Sequence, residues 1–283
     1  MLVFRRRHDL GVGHAGQWSA SFTAPGLRVG LVRSWGLSHF DSAPLVGAVD
    51  AFPQEGSTLV EVVLAGTLIL RHPAFGERVF RPGDLVSLPS SGWNERNEGD
   101  VVLLTLYDST HASNGTYRTG SISRWDVSSL LSSIEAFQHE ESSPFALIAK
   151  ILRVVAWQGD HETLLRMRPP EPLQRVSDAL SSVLSQLHAR PQWIDVAARL
   201  AVSERHARRL LLEAAPWLGP YAGPSGWRRQ LHVLRLLTAV GFLAHKGARL
   251  EDVARASGYG TARAMLRSFE LAGVPPPRII RQT

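Results

Sequence analysis

Cysteine is absent from the 283-residue chain, which removes disulfides, thiolate nucleophiles, thiolate metal sites and cysteine redox sensing from the functions open to it. Lysine is nearly absent: of 31 basic residues only Lys150 and Lys246 are lysine, a bias that a GC-rich genome produces without functional cause. No apolar run reaches the roughly 18 residues that span a bilayer. The start, Met1-Leu2-Val3-Phe4-Arg5-Arg6-Arg7, lacks the apolar core of a signal peptide. A cytoplasmic protein without a membrane partner is the expectation.

What is present is a globular composition, 44% hydrophobic and 20% charged, at a length that suits two domains. The net charge of +6 conceals a division. Residues 173–283 hold sixteen Arg and Lys against seven Asp and Glu, whereas residues 1–172 hold fifteen against eighteen, so the two parts carry +9 and −3. A basic domain joined to a mildly acidic one suits a nucleic-acid binder with a separate ligand or partner module; an uneven solvated surface is the plainer reading.

From Leu27 to about Leu106, short Val, Leu and Thr runs alternate with turn residues, which predicts a sandwich or barrel of strands. Leu59–Leu64 and Thr67–Leu70 flank Ala65-Gly66, a hairpin or a bend. Pro82-Gly83-Asp84 supplies a turn. After Gly120 the period changes to that of helices. Leu130, Ile134 and Phe137 form one stripe, and Ile148, Ile151, Leu152 and Val155 another, separated by Ser142-Ser143-Pro144. This pair either covers the barrel or forms a dimer contact. Arg168-Pro169-Pro170-Glu171-Pro172 reads as a linker, because closely spaced prolines sustain neither a helix nor a central strand. Helical segments are expected beyond it at 173–189, 191–200, 203–214, 225–245, 250–257 and 261–271.

Two helix-turn-helix patterns lie in this last part. In the first, Val196, Ala197 and Leu200 form the inner stripe of one helix and Ala207, Leu210 and Leu211 that of the next, with Ser203 as N-cap. Glu204, Arg205, Arg208 and Arg209 are left outward, and a guanidinium pairs bidentately with guanine in a major groove. In the second, Val253 and Ala254 face inward, Gly258 makes the turn, Thr261 is the cap, and Met265 and Phe269 repeat the stripe. Arg263 and Arg267 share an outer face. One basic helix is unremarkable in a helical bundle, but two in tandem, spaced near one turn of B-DNA, would enter successive major grooves.

Arg235-Leu236, Ala239, Phe242-Leu243, Leu250, Val253-Ala254, Gly258-Tyr259, Arg267, Phe269, Gly273 and Pro275 fall in the order and nearly the spacing of a known signature. In this respect residues 173–283 resemble the DNA-binding domain of the AraC family of transcription regulators. The resemblance implies base reading by Arg205, Arg208 and Arg209 in the first unit and by Arg263 and Arg267 in the second. It also implies double-stranded DNA as partner, with RNA polymerase added if the protein activates. The chain departs from the pattern at the broken segment 216–224, at Ala201 where glycine is usual, between Phe269 and Gly273, and at Ile280 where an aromatic is usual.

The first half resembles, through Gly66, Pro82-Gly83-Asp84 and Pro89, the cupin-like barrel that senses effectors in that family. Catalytic cupins begin their metal site with His-x-His. No such pair occurs here, and His39, His72 and His111 are scattered. No metal, cofactor or catalytic residue is therefore expected. Trp35, Phe40 and Trp93 could line a pocket, although core aromatics are commoner. Gly11-Val12-Gly13-His14-Ala15-Gly16 matches a dinucleotide fingerprint by letter, but Phe4-Arg5-Arg6-Arg7-His8-Asp9 is too charged for the buried parallel strand this motif needs. A flexible turn at 11–16 is expected instead, and Arg5-Arg6-Arg7 reads as a solvated terminus, with a basic arm touching phosphate as the alternative.

The expected protein is α+β and multidomain: a cupin-like effector or dimerisation barrel at 1–120, a helical pair at 121–167, a linker at 168–172 and an all-α double helix-turn-helix domain at 173–283. A small-molecule effector and a homodimer are its further expected partners. The competing readings are a cupin-type enzyme and an interaction protein whose helical domain no longer binds DNA.

Overall fold

The computed structural model describes residues 2–10, 15–24, 26–36, 39–41, 58–72, 76–89, 94–108, 117–157, 159, 162, 166–218, 226–245 and 247–281. Among the described residues nine strands precede the helices: β1 Leu2–Asp9, β2 Gly16–Ala24, β3 Leu27–Trp35, β4 His39–Asp41, β5 Thr58–His72, β6 Gly76–Phe80, β7 Asp84–Pro89, β8 Asn94–Asp108 and β9 Arg118–Ser121. All pairings are antiparallel, in the order β1-β2-β3-β8-β5-β7-β9, with β4 joined to β8 and β6 to β5.

The two 15-residue strands β5 and β8 each serve different partners along their two halves. The break lies at Ala65-Gly66, where the β5–β8 register shifts on either side of Ala65. Gly66 has φ +75, and a side chain there would meet the Asp100 carbonyl at 2.7 Å. Of the two readings of Ala65-Gly66 the bend is correct and the hairpin is not, because one strand runs through the site as a bulge.

Both faces of the sheet carry buried apolar clusters. On one, Trp18, Phe22, Val29, Leu31, Leu64 and Leu104 meet two helices, α1 Arg124–Gln138 and α2 Pro144–Val154. Leu130, Ile134 and Phe137 of α1 and Ile148, Ile151 and Leu152 of α2 are buried there. Phe137 stacks against Phe22 with centroids 5.3 Å apart and meets Trp18 edge-on at 6.2 Å. Of the two roles open to the helical pair, the structure thus shows the covering one. Ser143 caps α2 and Pro144 opens it, which explains the break. On the other face Val63, Leu68, Leu70, Phe80, Val86, Val101 and Leu103 form a second cluster.

The rest of the described chain is helical: α3 Glu171–Leu184, a 3-10 turn Leu187–Ala189, α4 Trp193–Leu200, α5 Glu204–Leu218, α6 Gly226–Leu243, α7 Leu250–Ala256, α8 Ala262–Ala272 and α9 Pro277–Ile280. Pro170 is the N-cap of α3, so Glu171 and Pro172 belong to its first turn, where a missing N–H costs nothing. Helix α5 continues past 214 through Pro216 to Leu218, longer than expected; residues 219–225 lie outside the described ones. Ile280 is 2% exposed and fills the core at the position where an aromatic is usual.

The N-terminal segment corrects one expectation. Arg5-Arg6-Arg7 is not a solvated terminus but the middle of β1, paired along its length with β2. The Arg5 charge is met by distant groups. The Arg5 guanidinium lies 4.0 Å above the Phe137 ring and 3.1 Å from Glu140 Oε1. Arg7 pairs with Asp9 at 3.0 Å, and Arg6 and His8 are buried. Strand β2 begins at Gly16, as the expected turn at 11–16 allows, whereas nucleotide binding needs a helix there; Gly11–His14 themselves lie outside the described residues.

This β1–β2 pair reaches into the helical half. Leu2 is fully buried among Leu173, Val176, Leu180, Leu210 and Leu231. Leu10 and Ala15, at the other end of the pair, belong to the cluster of Leu236, Val240, Val253, Met265 and Phe269.

Candidate nucleic-acid interface

The first helix-turn-helix unit is built by α4 and α5. Asp195 accepts a 2.6 Å hydrogen bond from the Gln192 backbone N–H and so fixes the start of α4. Trp193, Val196, Ala197 and Leu200 turn inward against Ala207, Leu210, Leu211 and Ala214 of α5. Helix α4 ends in a left-handed residue, Ala201, at φ 55 and ψ 40. The N–H of Val202 then donates to the Ala197 carbonyl at 3.2 Å. Arg175 of α3 closes the same end by donating to the Leu200 carbonyl at 2.9 Å. Ser203 Oγ accepts from the His206 N–H at 3.3 Å.

Glu204, Arg205, Arg208 and Arg209 are exposed on the outer face of α5. Arg208 lies 3.6 Å from Glu204, and Arg209 lies 3.6 Å from Glu213 and 3.3 Å from His206 Nε2. Arg205 has no such partner among the described residues. Contacts of this kind on an open face contribute about 0–1 kcal/mol, so these guanidiniums exchange partners readily.

The second unit is built by α7 and α8. Val253 and Ala254 are buried against Met265 and Phe269. The turn is tight: Gly258 has φ +81, Tyr259 N–H donates to the Ala254 carbonyl at 2.7 Å, and Ser257 Oγ donates to the Val253 carbonyl. Thr261 is the N-cap of α8, its hydroxyl accepting from the Ala264 N–H at 3.1 Å. Arg263 and Arg267 are exposed, with no ion pair among the described residues. Gly273 ends the helix at φ 69.

Helix α6 carries contacts to both units. Trp227 meets Trp193 edge-on at 5.8 Å. At the other unit, Tyr259 Oη lies 3.1 Å from Ser268 Oγ, which lies 3.4 Å from His232 Nδ1. Burial raises the Tyr259 phenol above its ordinary value and lowers His232, so both stay neutral links in this chain near neutral pH.

Elsewhere, Trp35 lines a crevice of about 290 Å³ with Arg33, Ala65, Asp100, Leu131 and Glu135. A cleft of about 650 Å³ between β1, α2 and α3 is lined by Arg5, Glu140, Phe145, Arg168, Asp178 and Ser181. The side chains of His39 and Phe40, and all of Trp93 and His111, lie outside the described residues. His72 is half-buried at the end of β5. Among the described residues no three His, Asp or Glu gather as a metal-binding group, and no helix is long and apolar enough to cross a membrane.

One residue near the second unit has no sequence signal that would place it there. Arg190, seventy positions before Gly260, rests its guanidinium against that glycine.

No family model matches the chain, and no curated protein matches it. Among solved structures it is similar to ToxT from Vibrio cholerae O395, at 9% identity over 91% of this chain and 98% of that one, with a TM-score of 0.36. A fatty-acid-bound ToxT from Vibrio cholerae strain SCE256 is 11% identical over 91% and 96%, with a TM-score of 0.34. AerE from Microcystis aeruginosa is 11% identical over 42% of this chain and 53% of that one, with a TM-score of 0.31. Likeness of this degree does not carry function across.

Proposed function

We propose that the chain is a sequence-specific DNA-binding regulator of transcription that reads its site through α5 and α8. The observation that carries this reading is the repeated division of labour in the two units. Each second helix buries one stripe in a core, Ala207, Leu210 and Leu211 in α5 and Met265 and Phe269 in α8, and turns arginines to solvent on the other side. Arg205, Arg208 and Arg209 on one helix and Arg263 and Arg267 on the other suit the acceptor edge of guanine and the phosphates beside it. The surplus of +9 over residues 173–283 supplies the sequence-independent attraction. The AraC-like signature across α6, α7 and α8 supports the same reading.

The strand-rich half serves in this reading as the module that biases DNA binding, through a small-molecule effector or a second copy of the chain. A ligand that prefers one arrangement of the two halves shifts the fraction competent for DNA. The protein acts by binding and not as an enzyme.

Selection of bound duplexes from a random library, repeated at two salt concentrations, tests the proposal. The expected result is a motif of two short blocks about one helical turn apart. Salt-sensitive binding without a motif would leave only a nonspecific binder, and absence of binding would sink the reading.

A further inference from the structure

Arg190 closes the 3-10 turn after α3 in a left-handed backbone conformation, φ 55 and ψ 59, which an L-residue adopts at a cost. Its side chain runs to the turn of the second unit. A methyl group on Gly260 would lie 3.2 Å from Arg190 Cζ and 3.3 Å from both terminal nitrogens. Three nearly equal distances mean that the guanidinium rests flat against the bare Cα, and a side chain at 260 would press it away by a few tenths of an ångström.

A second cation stands behind the first. Arg235 of α6 is half-buried, its Nε has no hydrogen-bond partner among the described residues, and it approaches the Gly258 turn closely. Burial lowers its affinity for the proton, and the nearness of Arg190 lowers it further. Tyr259, whose ionised form would oppose that shift, stays neutral near neutral pH because burial raises its phenol. Neither arginine has a carboxylate partner among the described residues. Two arginines gathered at one turn, with no carboxylate partner among the described residues, form a place where an anion would relieve the repulsion, and Arg190 is the exposed one of the two.

We propose that Arg190 seats a phosphodiester of the DNA backbone at the turn before α8, and that Gly260 lacks a side chain so that this guanidinium can lie across it. The inference rests on the DNA-binding reading above and adds to it a residue outside both helix-turn-helix units. A contact to phosphate at this place sets the depth and register of α8 without reading sequence.

The test uses the full chain and its Arg190→Gln and Arg190→Lys variants. Affinity is measured for the selected duplex and for an unrelated duplex of equal length across a salt series. For Arg190→Gln the expected result is a loss of about 3- to 30-fold, alike for both duplexes, a salt slope smaller by about 1, and unchanged base preference. Arg190→Lys keeps the slope and loses less. Unchanged affinity and slope in Arg190→Gln, with thermal unfolding as in the parent, would overturn the proposal while leaving the regulator reading intact. Failure of the parent itself to bind either duplex would overturn both. In arginine-labelled protein, the Arg190 Nε resonance should move on addition of duplex and stay in place in a few millimolar inorganic phosphate. Saturation by inorganic phosphate alone would make this a free-anion site and remove the DNA assignment.

Discussion

Ser177 Oγ donates a 2.6 Å hydrogen bond to the Val3 carbonyl, and one helical turn later Ser181 Oγ accepts from the Arg5 N–H at 3.1 Å. The match is geometric. Four residues of helix advance about 6 Å, and two residues of strand advance about 6.6 Å, so two hydroxyls on α3 meet two successive outward groups of β1. Strand β1 is an edge of the sheet, and its outward groups would otherwise invite another strand. Here they join the sheet to the helical half, with Leu2 buried beside them.

Removal of the first hydroxyl tests that junction. Ser177 is fully buried, so Ser177→Ala leaves the Val3 carbonyl without its partner where water has poor access. A loss of about 1–2 kcal/mol in urea denaturation is expected. A change below about 0.3 kcal/mol would show that the hydroxyl contributes nothing to holding the two halves together.

Acid should loosen the same region. Burial, with help from Arg6 and His188, lowers His8 from 6.5 to about 3. His8 is therefore neutral when folded at every pH above that value, while in the unfolded chain it takes up a proton below about 6.5. The unfolded state binds the extra proton, so stability is complete above about pH 6.5 and falls as pH drops toward 3, by at most about 1.4 kcal/mol per unit. In His8→Leu the slope of unfolding free energy against pH over this window should flatten. An unaltered slope would place the acid sensitivity elsewhere.

The two turns make the same left-handed backbone demand and meet it with different residues. Ala201 sits at φ 55 with a side chain that disfavours it, so Ala201→Gly should raise stability by up to about 1 kcal/mol. Gly258, at φ +81, has its would-be Cβ position pressed on the Leu187 carbonyl. A methyl group there must move backbone, and Gly258→Ala should cost at least about 2 kcal/mol. Thermal unfolding of the two variants checks both signs. A stabilised Gly258→Ala or a destabilised Ala201→Gly would show that these turns are not held as described.

Helical periodicity made the right half legible. Leu130, Ile134 and Phe137, and the stripes of α5 and α8, recur every three or four residues, and those are the residues buried. Gly258 and Thr261 were readable because left-handed turns and N-caps call for few residue types. Strands β1 and β2 were not. Arg5-Arg6-Arg7 reads as solvated because the partners of Arg5, Glu140 and the Phe137 ring, lie more than 130 positions away. The Arg190–Gly260 contact is hidden for the same reason: Gly260 reads locally as a turn residue, and only the packing of the 3-10 turn on α7 brings Arg190 to it. The outward direction of the five arginines follows from the stripes beneath them, whereas what they touch does not.

Those arginines give the sharpest division of outcomes. Arg209 is held by Glu213 at 3.6 Å and by His206 at 3.3 Å, whereas Arg267 is exposed with no ion pair among the described residues. Glu213→Ala should leave folding within about 0.5 kcal/mol, and by removing a negative charge near the phosphates it should tighten DNA binding. Arg209→Ala and Arg267→Ala should each cost about 1–3 kcal/mol in binding and relax preference at one base position, in different blocks of the site. Because the two helices pack into separate cores, the double variant should lose the sum of the two to within about 0.5 kcal/mol. Titration of the parent and the four variants against the selected duplex and single-base variants of it decides the matter. Wild-type affinity and base preference in Arg209→Ala would remove α5 as a reader and leave α8 to recognise DNA alone.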